Sequence, residues 1–238
     1  MAKFEKNDFI EVDFIGKDKE GQIFDTTLKD EAKKIGLEIE AKPIVICLGQ
    51  SMILPAIDEF LIGKEIGNYT LELKPEKAFG ERKKEMIKIM PISAFKNANT
   101  PIQRGVVFSF DGILGKVSAV SGGRVIVDFN NPVAGKEIVY ELKVKREIEN
   151  IEDKIKALMN FFFRREFKFK IEEKKLTIEA EKNLMKIIEM FKEKFGEILS
   201  LELEVKEVEA KTAEREETKK PGKVEIEEKT EKVEKKES

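Results

Sequence analysis

From residue 1 to about residue 146 the apolar side chains recur with a period of two and seldom at helical spacing, so this stretch is built of strands. In Phe9–Ile15, apolar Ile10, Val12 and Phe14 alternate with Glu11 and Asp13, the pattern of a half-buried strand. Asp18-Lys19-Glu20-Gly21 turns the chain back into Gln22–Asp25 as a hairpin. Residues 44–48 form a continuous apolar run, which predicts a central strand and makes Cys47 a small buried hydrophobe rather than a nucleophile. Pro55 and Gly63 bracket a helix of about two turns, expected to be the only substantial helix in this half. The strand Tyr69–Leu73 follows, then a charged loop in which Phe79 stands between Ala78 and Gly80.

The pattern changes at about residue 83. Met86–Met90 alternates as a strand, and Ile92–Phe95 reads as a turn or short helix. Val106–Phe110, Ile113–Val120 and Arg124–Phe129 then form a meander. Its turns, Asp111-Gly112 and Gly122-Gly123, supply the positive φ angles of two-residue hairpins. Asn130-Asn131-Pro132 breaks the run, and Lys136–Lys145 resumes as a last long strand. Beyond it, Ile151, Ile155, Leu158, Met159, Phe162 and Phe163 recur at helical spacing. A hairpin (Phe167–Ile171 with Leu176–Ala180), a second amphipathic helix closed by Gly196 and a strand over Leu199–Val208 complete a small α+β domain. Residues 211–238 are mostly charged and lack aromatics, which predicts a disordered tail.

Composition removes whole classes of chemistry. The 238 residues include no His, no Trp and one Cys, so no disulfide within the chain and no Cys₄ or Cys₂His₂ zinc site can form. Every mechanism that needs an imidazole is excluded. The 45 Lys+Arg nearly balance 47 Asp+Glu, giving no overall field for nucleic acid or an anionic membrane. Phosphate-binding glycine loops and the oxygen spacing of a calcium loop are absent. No apolar stretch approaches the roughly 20 residues that span a bilayer, and no apolar run follows the first charges as in a signal peptide. The expectation is a cytoplasmic protein with no metal and no cofactor.

What remains is a set of apolar residues at loops and element ends: Phe14, Phe24, Ile53, Leu54, Ile57, Phe79 and Tyr140. By pattern alone they read as a plain sheet core under a helix, although Phe79 is poorly placed for a core. Seven segments in order carry a resemblance: Asn7-Asp8, Gly21–Asp25, Ile46–Gly49, Ile53–Ile57, Ala78–Gly80, Met90–Phe95 and Val127–Gly135. The chain resembles FKBP-type peptidyl-prolyl cis-trans isomerases, in particular the SlyD-like branch with a domain inserted in the flap, in its long archaeal form with a C-terminal domain.

The resemblance implies an α+β fold in which a twisted antiparallel sheet wraps a short helix, with an apolar cleft between them. The isomerase domain would be 1–82 and 129–148, the β-rich insert 83–128 and the C-terminal α+β domain 149–210. The cleft would be Phe14, Phe24, Asp25, Ile53, Leu54, Ile57, Phe79 and Tyr140. In that reading Ile53 and Leu54 bracket a proline ring, Ile57 forms the floor, Phe24 and Tyr140 are walls, and the Leu54 N–H binds a substrate carbonyl. Phe14 and Phe79 stand where relatives often carry Tyr, so two hydroxyls are missing and turnover is expected to be modest. In the insert, Ile87, Ile89, Met90, Phe95, Phe108, Phe110 and Leu114 would bind unfolded or partly folded proline-containing chains. About half of the insert's apolar residues must instead form its own core. The competing expectation is a non-enzymatic holdase whose cleft is degenerate. Phe161-Phe162-Phe163 is apolar on more than one helix face. Homodimerisation through the C-terminal domain and packing within that domain both account for it.

Overall fold

A computed structural model of the chain describes residues 3–36, 41–95 and 100–208; the tail at 211–238 lies outside the described residues. The first part runs β1 (Phe9–Asp18), β2 (Ile23–Thr26), α1 (Lys29–Lys34), β3 (Ile44–Cys47), α2 (Pro55–Leu61) and β4 (Gly67–Leu73). Next come β5 (Ile87–Pro91), β6 (Val107–Phe110), β7 (Ile113–Ser121), β8 (Arg124–Asp128) and the long β9 (Ile138–Glu147). The last part is α3 (Ile151–Phe163), β10 (Lys168–Glu172), β11 (Lys175–Ala180), α4 (Lys182–Glu189), α5 (Lys192–Leu199) and β12 (Glu202–Glu207).

These strands form three sheets. The first has the order β2-β1-β9-β4, with β3 also paired to β1. Its backbone is the β1–β9 pair, which runs antiparallel from Ile10↔Glu147 to Asp18↔Ile138. Against one face lies α2, whose start is fixed by Pro55 at its first turn and whose chain leaves through Gly63 at φ +83°. Ile57 and Leu61 of this helix are fully enclosed with Ile10, Val12, Ile138 and Leu142. Burying each such side chain contributes roughly 1.5–3 kcal/mol.

The second sheet, β5-β8-β7-β6, is threaded between β4 and β9. Its hairpins turn where the glycines predict: Phe110 faces Ile113 across Asp111-Gly112, and Ser121 faces Arg124 across Gly122-Gly123. All four turn residues have positive φ. The third sheet is β10-β11-β12, with β11 and β12 parallel. No helix among the described residues is long and apolar enough to cross a membrane.

Several expectations need correction. The run 44–48 is not a central strand: among the described residues β3 pairs with β1 alone, and Ile44 and Val45 are half-exposed. The short helix α1 was not expected, because its one buried side chain, Ala32, gives no periodicity to read. The C-terminal domain has three helices where two were expected, because the second is split into α4 and α5; Gly196 lies inside α5 rather than closing it, and Ser200 at φ +56° ends that helix. Among the described residues, backbone contacts gather those of 3–25 with those of 44–149, and those of 26–43 with those of 150–208.

Within the C-terminal unit the Phe cluster is engaged internally. Phe162 lies 4.7 Å from Phe191, and Phe163 stacks on Phe195 at 6.2 Å and meets Phe167 at 5.7 Å, as ring centroids. Of the two accounts of that cluster, packing inside the domain has direct contacts behind it.

Candidate functional site

Four aromatic rings far apart in sequence meet on the first sheet. Phe14 of β1 lies 5.7 Å from Tyr140 of β9; Tyr140 lies 5.8 Å from Phe24, and Phe24 lies 5.7 Å from Phe79. The last two contacts are edge-to-face, at 88° and 89°. Such pairs add about 1 kcal/mol each beyond their area burial. Phe24 is presented by the β1–β2 hairpin, whose turn Asp18 ties down. Asp18 Oδ1 accepts the Gln22 N–H at 2.9 Å, and Oδ2 accepts from Lys136 at 2.6 Å. The Lys136 bond holds the Asp18 carboxyl below the usual carboxylate range. Phe79 follows a 3-10 turn over Pro75–Lys77, and the loop doubles back at Gly80, whose N–H donates to the Pro75 carbonyl at 2.7 Å.

Gly16 allows the rings to come this close. A Cβ at Gly16 would stand 2.8 Å from Phe24 Cζ and 3.1 Å from Tyr140 Cε1, so any side chain there collides with the cluster. Sequence reasoning passed over this residue. The available signal was an isolated glycine inside an alternating strand, which marks a close approach.

Helix α2 and the loop before it supply the remaining side. Ile57 is enclosed, Leu54 is buried and Ile53 is half-buried against the same group. Leu54 precedes the helix in an extended conformation, and its N–H donates to no group among the described residues. Asp58, 3% exposed, braces this loop: its Oδ2 accepts the N–H groups of Gly49 at 2.8 Å and Ser51 at 2.7 Å. Among the described residues its Oδ1 is enclosed without a partner. Burial pushes the Asp58 carboxyl up, with the loop N–H groups opposing. Asp58 too was missed, because in sequence it resembles any acid in a helical first turn.

Of the expected cleft residues, Phe14, Leu54, Ile57 and Tyr140 are core members of one packed group, and Phe24, Ile53 and Phe79 pack against it. Asp25 brings a charge to its margin. The Tyr140 phenol is pushed above its ordinary pKa, first by burial and then by the Asp25 charge. The group offers apolar surface and a few hydrogen-bond donors rather than an acid–base pair.

In the inserted sheet the strand register sorts the expected residues by face. Ile89 faces Ile126, Leu114 faces Ser109 and Val107 faces Lys116, so one face carries Ile87, Ile89, Val107 and Leu114. Ile89 is 67% exposed and Leu114 58%. The other face carries Val117, Val125 and Val127, with Met90, Phe108 and Phe110 packed against them. Phe95 is a correction: it is 5% exposed, with its ring 5.1 Å from Phe108 and 5.4 Å from Phe110, and belongs to the insert's core.

Comparison with known proteins bears on both parts. A family model described as FKBP-type peptidyl-prolyl cis-trans isomerase matches residues 2–96. The "Short-type peptidyl-prolyl cis-trans isomerase" of Methanocaldococcus jannaschii is 32% identical over 144 residues, covering 59% of this chain and 91% of that protein. The chain belongs to the FKBP-type peptidyl-prolyl cis-trans isomerases. Another FKBP-type relative, SlyD of Treponema pallidum, is 30% identical over 142 residues, covering 56% of this chain and 78% of its own. An Escherichia coli "FKBP-type 16 kDa peptidyl-prolyl cis-trans isomerase" is 28% identical over 109 residues, 43% of this chain and 72% of that one. A second model, described as "FKBP26, IF domain", matches residues 88–133, the stretch that holds β6, β7 and β8. This FKBP-type chain therefore has an FKBP segment at its start and a separately matched segment between β4 and β9.

Proposed function

We propose that the protein is a peptidyl-prolyl cis-trans isomerase that holds unfolded chains on its inserted sheet while the aromatic cleft turns their X-Pro bonds. The observation that carries this reading is the packed apolar group around Tyr140 with the unspent Leu54 N–H at its edge. The relatives' names point the same way. Rotation about X-Pro faces a barrier of about 18–20 kcal/mol because amide resonance must be broken, and no proton has to move. That suits a chain without histidine. An apolar surround disfavours the charge-separated planar amide relative to the twisted one, so a pocket shaped for the twisted peptide binds the transition state better than either isomer.

In this reading Ile53 and Leu54 bracket the proline ring over Ile57, with Phe24 and Tyr140 as walls. Phe14, Asp25 and Phe79 complete the rim, and the Leu54 N–H takes a substrate carbonyl. Client segments lie on the outer face of the insert, on Ile87, Ile89 and Leu114, with Val107 added from the register. Met90, Phe108 and Phe110 lie beneath. Holding a chain there raises its effective concentration at the cleft without new contacts to proline. The protein is then a long, SlyD-like form, with the C-terminal unit as its addition.

A refolding assay limited by proline isomerisation tests this. Catalytic amounts of the protein should accelerate the slow phase, and Leu54→Ala should abolish most of that gain while aggregation suppression persists. Suppressed aggregation with no acceleration by the wild type would replace the isomerase with a holdase.

A further inference from the structure

Tyr140 carries the one hydroxyl among the four rings of the cleft, and its hydrogen-bonding capacity is unused. The residue is 1% exposed. Among the described residues its oxygen neither donates nor accepts a hydrogen bond. Asp58 Oδ1 is the fully enclosed side-chain polar atom without a partner in that set, and the Tyr140 oxygen does not join it. The hydroxyl therefore keeps part of the residue's small exposure, on a ring whose neighbours are Phe14 at 5.7 Å and Phe24 at 5.8 Å. A buried phenol that served only packing would cost less as phenylalanine, since an unmatched hydroxyl pays desolvation for nothing.

We infer that the Tyr140 hydroxyl is a substrate-binding donor, taking a backbone carbonyl that flanks the rotating X-Pro bond. This rests on the isomerase reading and assigns its site a polar anchor on β9, in the same packed group as Leu54. Burial and the Asp25 charge both keep the phenol protonated, so it remains a donor throughout the neutral range. A flanking carbonyl keeps its polarity as the neighbouring bond twists. The bond to it therefore holds ground state and transition state alike and acts on KM rather than kcat.

The test is Tyr140→Phe, which keeps the ring. Wild type and variant are compared on X-Pro tetrapeptides for kcat and KM, and by thermal unfolding. KM should rise roughly three- to tenfold with kcat within about twofold, while Tm stays level or rises. An unchanged KM, or a KM rise accompanied by a fall in Tm, overturns the inference. An inactive wild type overturns the isomerase reading instead, so the two failures are told apart.

Discussion

At the scale of single residues the site depends on two positions that carry no reactive group. Gly16 leaves room for Phe24 and Tyr140, and Asp58 ties down the loop that presents Ile53 and Leu54. Gly16→Ala should cost about 1–3 kcal/mol, the usual range for overpacking, and should lower kcat/KM by displacing both rings; urea unfolding and a tetrapeptide assay measure the pair of effects. Asp58 makes a prediction in pH. Its carboxyl sits above the ordinary value of 3.8 in the folded state, so the native protein binds more protons than the unfolded chain over that window. Stability supplied through this group is present at low pH and declines as pH rises through the window, then levels off. Asp58→Asn removes the titration, so the variant should gain on the wild type from about pH 4 upward. A stability difference that is flat with pH would show that burial does not strain the carboxylate.

At the scale of elements, legibility in the sequence followed the range of the forces involved. The hairpins at Asp111-Gly112 and Gly122-Gly123 were readable because the φ requirement is local to two residues. Helix α2 was readable from Pro55 and Gly63 for the same reason. The end of α5 was not, since Gly196 is tolerated inside a helix and the cap falls at Ser200; nor was the α4–α5 break, which falls at Met190-Phe191 with no Gly or Pro to mark it. Nor was the edge position of β3, which depends on which strands pair. The cleft was named through family resemblance, because nothing local joins Phe14, Phe24, Phe79 and Tyr140 until the sheet forms. The same dependence on pairing separates the two faces of the insert, and Phe95 was misplaced for want of it. The outer face now makes a sharper prediction. Ile89→Lys combined with Leu114→Lys should leave Tm and tetrapeptide turnover unchanged and remove most aggregation suppression. Retained suppression would move the client surface elsewhere.

At the scale of the whole molecule, cleft and insert are expected to divide the labour. Replacing 83–128 with a short turn should spare tetrapeptide isomerisation and depress catalysis of protein refolding by at least tenfold; equal loss on both substrates would contradict the division. The connection between the two sheets has a further consequence. The chain leaves the first sheet at Leu73 and re-enters it at Ile138, and these two residues are register partners in the β4–β9 pair. Closing so long an excursion costs entropy that grows with its length. The inserted hairpins, whose contacts are short-range, form early. Once formed, they hold their ends together through the Phe129 N–H bond to the Met86 carbonyl at 3.0 Å and the Arg82–Asp128 ion pair. A truncation in the insert's core, such as Val125→Ala, should therefore slow assembly of the first sheet in stopped-flow refolding, and an unchanged rate would refute the coupling. On this account the module proposed to hold unfolded clients first serves its own host, delivering β4 and β9 to each other as the protein folds.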